Sequence, residues 1–324
     1  MDRLTPEEVA DYLTTFERLA DTVGTVLLGK TEVVRQALTA LFAPGHLLVE
    51  DVPGVGKTTL ARAIAAAVCG QWRRIQFTPD LLPADVTGVT IFNQANQSFE
   101  FHPGPVFANV VVADEINRAS PKTQSALLEV MEEQHVTVDG VRYAVPRPFL
   151  VVATQNPVEM DGTYRLPEAQ LDRFLMKLSV GYPEAEAELE VMRGADARSP
   201  DRIDPVASIV DVARLAGLAE RVAVHDAVYD YIRRIAVATR EHPDVRLGLS
   251  PRGCVALSRA VRARALAAGR AYALAEDVKA LAVPVCAHRL LLTPDAALRG
   301  RGAVGVVIDV LAAVPAPDPT VASG

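Results

Sequence analysis

Gly54, Gly56, Lys57 and Thr58 stand between a short apolar run, Leu47-Leu48-Val49-Glu50, and an Ala-rich stretch from Lys57 to about Val68. Glycines, a lysine and a hydroxyl between a strand and a helix suit one ligand chemistry, a polyphosphate. Backbone N–H groups in such a turn converge on phosphate oxygens at a helix N-terminus. Lys57 would reach the β- and γ-phosphates of ATP and Thr58 would ligate Mg²⁺, with Pro53, Val55 and Thr59 completing the loop. The full pattern is GxxxxGK[ST], and Asp51 stands where its first glycine belongs. That departure leaves the conformation at the start of the loop open; a chance match in a glycine-bearing turn is the alternative.

Two further strand ends carry polar groups. Val110-Val111-Val112-Ala113 runs into Asp114-Glu115, some 57 residues (114 − 57) after Lys57. Asp114 fits a second Mg²⁺ anchor, through water, and Glu115 a general base that activates the attacking water. The plain alternative is two acids capping a strand. Val151-Val152-Ala153-Thr154-Gln155-Asn156 ends another apolar run. Asn156 would hold the lytic water or the γ-phosphate, or else is a turn residue before Pro157.

These groups need a frame. Thr5-Pro6-Glu7-Glu8 reads as a capped helix start, with the helix running towards Thr22, and a second helix covers roughly 32–41. Ile75-Gln76-Phe77 reads as a strand, 121–133 as a helix and 149–153 as a buried strand. Strand–helix alternation to about Leu178 predicts a doubly wound α/β parallel-sheet domain over residues 1–180. Two segments interrupt it: 86–101, with a turn at Asn93-Gln94-Ala95-Asn96, and 136–145. Asp139-Gly140 in the latter signals a type I′ hairpin pairing Val138 with Val141 and Val136 with Tyr143. Gly181-Tyr182-Pro183 breaks the chain. Residues 184–314 then read as a smaller all-α domain with no central strand, and 315–324 as a disordered Pro/Ala tail.

Composition narrows the function classes. Half of the 324 residues are hydrophobic, only 5% are aromatic, and the net charge is −7. An acidic balance argues against a general nucleic-acid binder. Cys69, Cys254 and Cys286 form no CxxC, so neither zinc nor a disulfide framework is expected. No signal peptide or apolar run of membrane length is evident, which predicts a cytoplasmic protein.

The order of phosphate loop, Asp-Glu strand and Asn-ended strand resembles that of AAA+ ATPases, and more specifically the MoxR family. The matching stretches are Gln76-Phe77-Thr78-Pro79-Asp80-Leu81-Leu82-Pro83, Gly104-Pro105-Val106-Phe107-Ala108-Asn109, Asp114-Glu115-Ile116-Asn117-Arg118-Ala119, and Leu166-Pro167-Glu168-Ala169-Gln170-Leu171-Asp172-Arg173-Phe174. The resemblance covers about residues 10–310. It implies an AAA+ domain followed by a helical lid. It also implies that Arg173 is an arginine finger reaching a neighbouring subunit's γ-phosphate, and that Arg252 is a sensor 2 arginine touching the γ-phosphate of its own subunit. Leu28-Gly29-Lys30 would line the adenine pocket. Surface salt-bridge or helix-start roles are the plain readings of the two arginines. The two insertions resemble hairpins that in related motors face a central pore or the substrate; packing against adjacent subunits is the equal alternative.

The resemblance further implies an oligomer, a hexamer, that turns ATP hydrolysis into remodelling of a protein client. The family's partners include von Willebrand factor A domain proteins, in enzyme maturation or metal insertion. A nucleic-acid motor is a rival, since helicases share both insertions; Arg142 alone supplies positive charge at the 139–140 tip. A small-molecule kinase and a nucleotide-binding scaffold without turnover are the others. Arg233, Arg234, Arg259, Arg262, Arg264 and Arg270 make the helical domain locally basic, as a solvated face or a subunit interface.

Overall fold

The structure, a computed structural model, describes residues 3–156, 163–193 and 199–317. The end of the predicted tail (318–324) and the turn at Pro157 lie outside the described residues.

Helix α1 (Pro6–Gly24) opens on the predicted capping box, with Glu8 N–H donating to Thr5 Oγ1 at 3.2 Å and Thr5 N–H donating to Glu8 Oε2 at 2.9 Å. Then come α2 (Thr31–Phe42), β1 (Leu47–Glu50), the glycine turn and α3 (Lys57–Ala67). Strand β2 (Trp72–Gln76) begins three residues before Ile75, the first residue of the predicted strand. It is an edge strand whose Trp72, Arg73 and Arg74 are half-buried or exposed, so no apolar run marks its start. A short helix α4 (Pro83–Thr87) leads into β3 (Gly88–Asn93) and β4 (Ser98–Pro103). After β5 (Val110–Asp114) and α5 (Pro121–Glu133) come β6 (His135–Val138), β7 (Val141–Ala144) and β8 (Leu150–Gln155). One turn of helix, α6 (Glu168–Leu171), precedes β9 (Met176–Leu178) and α7 (Ala185–Met192).

The main sheet has the order β2-β5-β8-β1-β9, with every pair parallel. Alternation across the pleat sends Leu47, Val49, Val110 and Val112 into one core and Leu48, Val111 and Ala113 into the other. Both faces are therefore covered, as a doubly wound sheet requires. Each such fully buried Val or Leu contributes about 1.5–3 kcal/mol.

Both interruptions are antiparallel hairpins. β3 pairs with β4 in a register joining Phe92 to Phe99, and β6 pairs with β7 in the predicted register. Asp139 and Gly140 carry φ of 50° and 80°, the left-handed pair a type I′ turn demands. Phe101 stacks on Tyr143 with ring centroids 4.0 Å apart, so the two insertions form one unit.

The helical region contains α8 (Ile209–Glu220), α9 (Asp226–Glu241), α10 (Pro251–Ala267), α11 (Ala275–Cys286), α12 (Pro294–Leu298) and α13 (Ala303–Ala313). It also holds a small antiparallel pair, β10 (Val245–Leu247) with β11 (Leu291–Leu292), too short to leave a period in the sequence. Its helices share one continuous core with α1, α2, α3 and one face of the sheet.

Candidate active site

In a parallel sheet all carboxyl ends lie together. β5, β8 and β1 are adjacent, so the residues that follow them converge. One cavity of about 380 Å³ is lined by Pro53, Gly54, Gly56, Lys57, Thr58, Thr59, Asp114, Glu115, Asn156 and Arg74. Gly54 and Gly56 hold φ of 84° and 94°, backbone that only glycine adopts without strain. The loop thereby delivers the first turn of α3 to the cavity. Val55 turns away and packs against the core. Gly29 and Lys30 do not line this cavity. They sit beside it under α7: Lys30 Nζ donates to the Tyr182 carbonyl at 2.6 Å, and a Cβ on Gly29 would meet Ala187 at 3.6 Å.

Thr154 organises the acids. Buried on β8, it donates through Oγ1 to Asp114 Oδ1 at 2.6 Å and accepts from the Glu115 N–H at 2.9 Å. That second bond holds Glu115 in the left-handed region, φ 55°. The other oxygen of Asp114 accepts from Arg74 at 2.6 Å, and Glu115 Oε2 accepts from Gln76 at 2.9 Å and from Arg118 at 3.2 Å. The sequence reading missed Arg74, Gln76 and Thr154. A signal existed for the first two, because alternate residues of a strand next to β5 point to the same side. Thr58 and Asp114 both face the cavity, and a Mg²⁺ arriving with ATP would be held by the Thr58 hydroxyl, by Asp114 through water and by the phosphates, the sparse protein set that ion favours. Among the described residues no cluster of three His, Cys, Asp or Glu competes for it.

Asp51 has a role of its own. Its Oδ2 accepts from the Gly181 N–H at 2.7 Å and from Ser179 Oγ at 2.9 Å, while Oδ1 accepts from the Val52 N–H at 3.1 Å. Burial opposes ionisation here, but these bonds outweigh it and hold the carboxyl below its usual range. Lys57 Nζ donates to the Asp51 carbonyl at 2.7 Å.

The two arginines lie elsewhere. Arg173 and Arg252 each approach a different oxygen of Glu132 at 3.2 Å. They line a second cavity of about 200 Å³ with Gly45 and His46, which precede β1 at the amino ends of the strands. β1 has four residues, so about 13 Å of strand separates this end from the phosphate loop. Arg252 therefore stands away from its own subunit's phosphate loop in this structure, and not at the γ-phosphate position expected of it. Ser250, which caps α10, donates to Asp172 at 3.3 Å and anchors Arg252 beside Arg173 instead.

Arg289, also missed, fixes this end. Only 7% exposed, it donates to Asp172 Oδ1 at 2.7 Å and to the carbonyls of Phe174 at 2.7 Å and Leu175 at 3.1 Å. The turn bearing Arg173 is clamped from within. Burial and the Arg289 charge drive the His288 pKa well down, and burial lowers that of His46 to about 4, so both imidazoles are neutral. His46 then donates from Nε2 to the Met131 carbonyl at 3.1 Å and accepts at Nδ1 from the Val151 N–H at 3.0 Å.

Known proteins resemble this chain over most of its length. Residues 46–176 match the family model described as ATPase family associated with various cellular activities, and 237–307 match its lid domain. The chain is 49% identical over 296 residues to an uncharacterized protein, YeaC, of Bacillus subtilis, covering 91% of this chain and 92% of that one. It is 43% identical over 299 residues to the chaperone MoxR1 of Mycobacterium tuberculosis, covering 90% and 79%. A crystal structure from Cytophaga hutchinsonii, described as a candidate ATPase, superposes with a TM-score of 0.89 at 37% identity over 96% of this chain and 98% of that one. With its phosphate loop, its acidic strand end and relatives matched nearly end to end, the chain belongs to the MoxR family of AAA+ ATPases.

Proposed function

We propose that this protein is an Mg²⁺-dependent ATPase whose catalytic sites form between subunits of a homo-oligomeric ring, a hexamer, and that its cycle remodels a protein client. The carrying observation is that the phosphate loop and Arg173 lie at opposite ends of one parallel sheet. One subunit thus holds the nucleotide end of one site and the arginine end of another, as a head-to-tail interface requires.

In this reading Lys57 and the loop amides bind the phosphates, and Thr58 and Asp114 hold Mg²⁺, which offsets charge on the transferring phosphoryl group. Glu115, released from Gln76 and Arg118, takes a proton from the attacking water, and Asn156 positions that water. Arg173 and Arg252 enter together from the next subunit, trading Glu132 for the γ-phosphate. The client role rests on the chaperone name of the relative at 43% identity and on the joined hairpins. These expose Ile91 (48%), Phe92 (47%) and Phe99 (74%), an apolar surface for an unfolded segment. A von Willebrand factor A domain partner and a cytoplasmic setting complete the proposal. Among the described residues no helix is long and apolar enough to cross a membrane.

Mixing tests the shared site. Arg173→Ala subunits lose about 10³-fold or more of turnover alone. With Lys57→Ala subunits they regain activity, because hybrid interfaces pair an intact loop with an intact finger. If no mixing ratio restores turnover, the shared site is wrong.

A further inference from the structure

Two surfaces of this chain lack a covering element among the described residues, and they are complementary. The first is α7, which touches the body through Ala187 near Gly29. Glu184, Glu186, Glu188 and Glu190 are exposed along it, as are Leu189 (46%) and Met192 (69%). The second is a groove of about 610 Å³ between α9, α10 and the end of α8, floored by Phe42, Ala43 and Pro44. Ile232 and Val255 supply apolar walls, and Arg233, Arg240, Arg259 and Arg262 stand around it.

The two lie at opposite ends of the same helix. Gly29 and Lys30, beneath α7, immediately precede α2, whereas Phe42 ends α2 in the groove floor. Twelve residues of helix, about 18 Å, keep α7 from its own groove. The two ends are also those of the divided active site. Leu27 stands 3.0 Å from a Cβ built on Gly56, which ties the segment under α7 to the phosphate loop. Pro44 and Arg259 line both the groove and the Arg173–Arg252 cavity. A subunit that offers its arginines to a neighbour's phosphate loop therefore brings its groove towards the helix beside that loop.

We propose that the acidic helix α7 of one subunit seats in the arginine-rimmed groove of the next. This rests on the shared-site reading above. Leu189 and Met192 fill the apolar floor while the glutamates meet the arginines, which set register and partner choice more than raw affinity. The groove is then an assembly surface rather than a small-molecule site.

Charge exchange tests this, with assembly in ATP followed by sedimentation in a Glu115→Gln background. Arg233→Glu with Arg262→Glu, or Glu186→Arg with Glu188→Arg, raises the protein concentration for half-assembly about tenfold or more. All four changes in one chain bring it back to near the starting value. Unchanged assembly in either charge-reversed protein, or no recovery in the combined one, overturns the proposal. Should a reversal variant unfold, shown by lost nucleotide binding, cross-linking decides. Leu189→Cys subunits mixed with Val255→Cys subunits, both lacking Cys69 and Cys254, give an inter-subunit disulfide in ATP when treated with diamide, which takes up the two electrons and two protons, and its absence counts against the contact. Activity regained by mixing Arg173→Ala and Lys57→Ala subunits, alongside a failed charge exchange, sinks this contact alone. A starting protein that stays monomeric in ATP sinks both readings.

Discussion

At the carboxyl ends of the strands the site is made of things that give way: two glycines with positive φ, a lysine resting on a backbone carbonyl, and carboxylates held by Arg74, Gln76 and Arg118. At the amino ends the arginines stand on a buried, hydrogen-bonded floor. Arg289 is buried under them with its donors on the Arg173 turn, flanked by two neutral histidines. An acceptor of nucleotide must exchange partners in every cycle, whereas a donor of charge to another subunit gains from being set beforehand.

The largest expected effect probes the adaptable end. Glu115→Gln lowers turnover about 10²- to 10⁴-fold and leaves ATP binding intact, measured by single-turnover hydrolysis and nucleotide titration. Full turnover would remove Glu115 as the base. At the amino ends, Arg289→Met strands the Asp172 carboxylate and the carbonyls of Phe174 and Leu175 and costs about 3–5 kcal/mol in a urea melt. A loss under 1 kcal/mol would show that the clamp carries little.

The contrast sharpens further with Arg252. Arg252→Ala lowers turnover about 10²-fold. Mixed with Arg173→Ala it gains nothing, because no interface then receives both arginines from one subunit. Recovery on mixing would place Arg252 in its own subunit's site after all.

The smallest effect is a pH dependence. His46 stays neutral in the fold down to about pH 4, while in the unfolded chain it takes a proton near 6.5. The unfolded state therefore gains protons first as pH falls. Stability is full above about 6.5 and drops by about 3 kcal/mol towards pH 4. His46→Gln removes that share, so its urea midpoint changes less between pH 7 and 4.5. Equal changes in the two proteins would refute the assignment.

The sequence was most legible where a residue's role depends on its immediate neighbours. The Thr5 capping box, the Asp139-Gly140 turn and α5 were readable because each is decided within a few residues. The phosphate loop and the Asp114-Glu115 end were readable because glycine, lysine and paired acids there have few other uses. Arg289 was not, since nothing local distinguishes it from a surface arginine; its partners are over a hundred residues away. Thr154 hid within an apolar run for the same reason. The position of Arg252 beside Arg173 was not legible, because the seating of α10 depends on Ser250 meeting Asp172, 78 positions away in sequence.

The aspartate at position 51 makes a three-way junction. Its N–H reaches Gln155, beside Asn156, at 3.2 Å; its carbonyl takes the Lys57 ammonium; and its carboxylate grips the strand exit that leads to α7. A glycine offers the first two connections and lacks the third. The departure from the usual motif thus ties the lysine's carbonyl partner and the strand exit to one residue, a connection the usual glycine could not make.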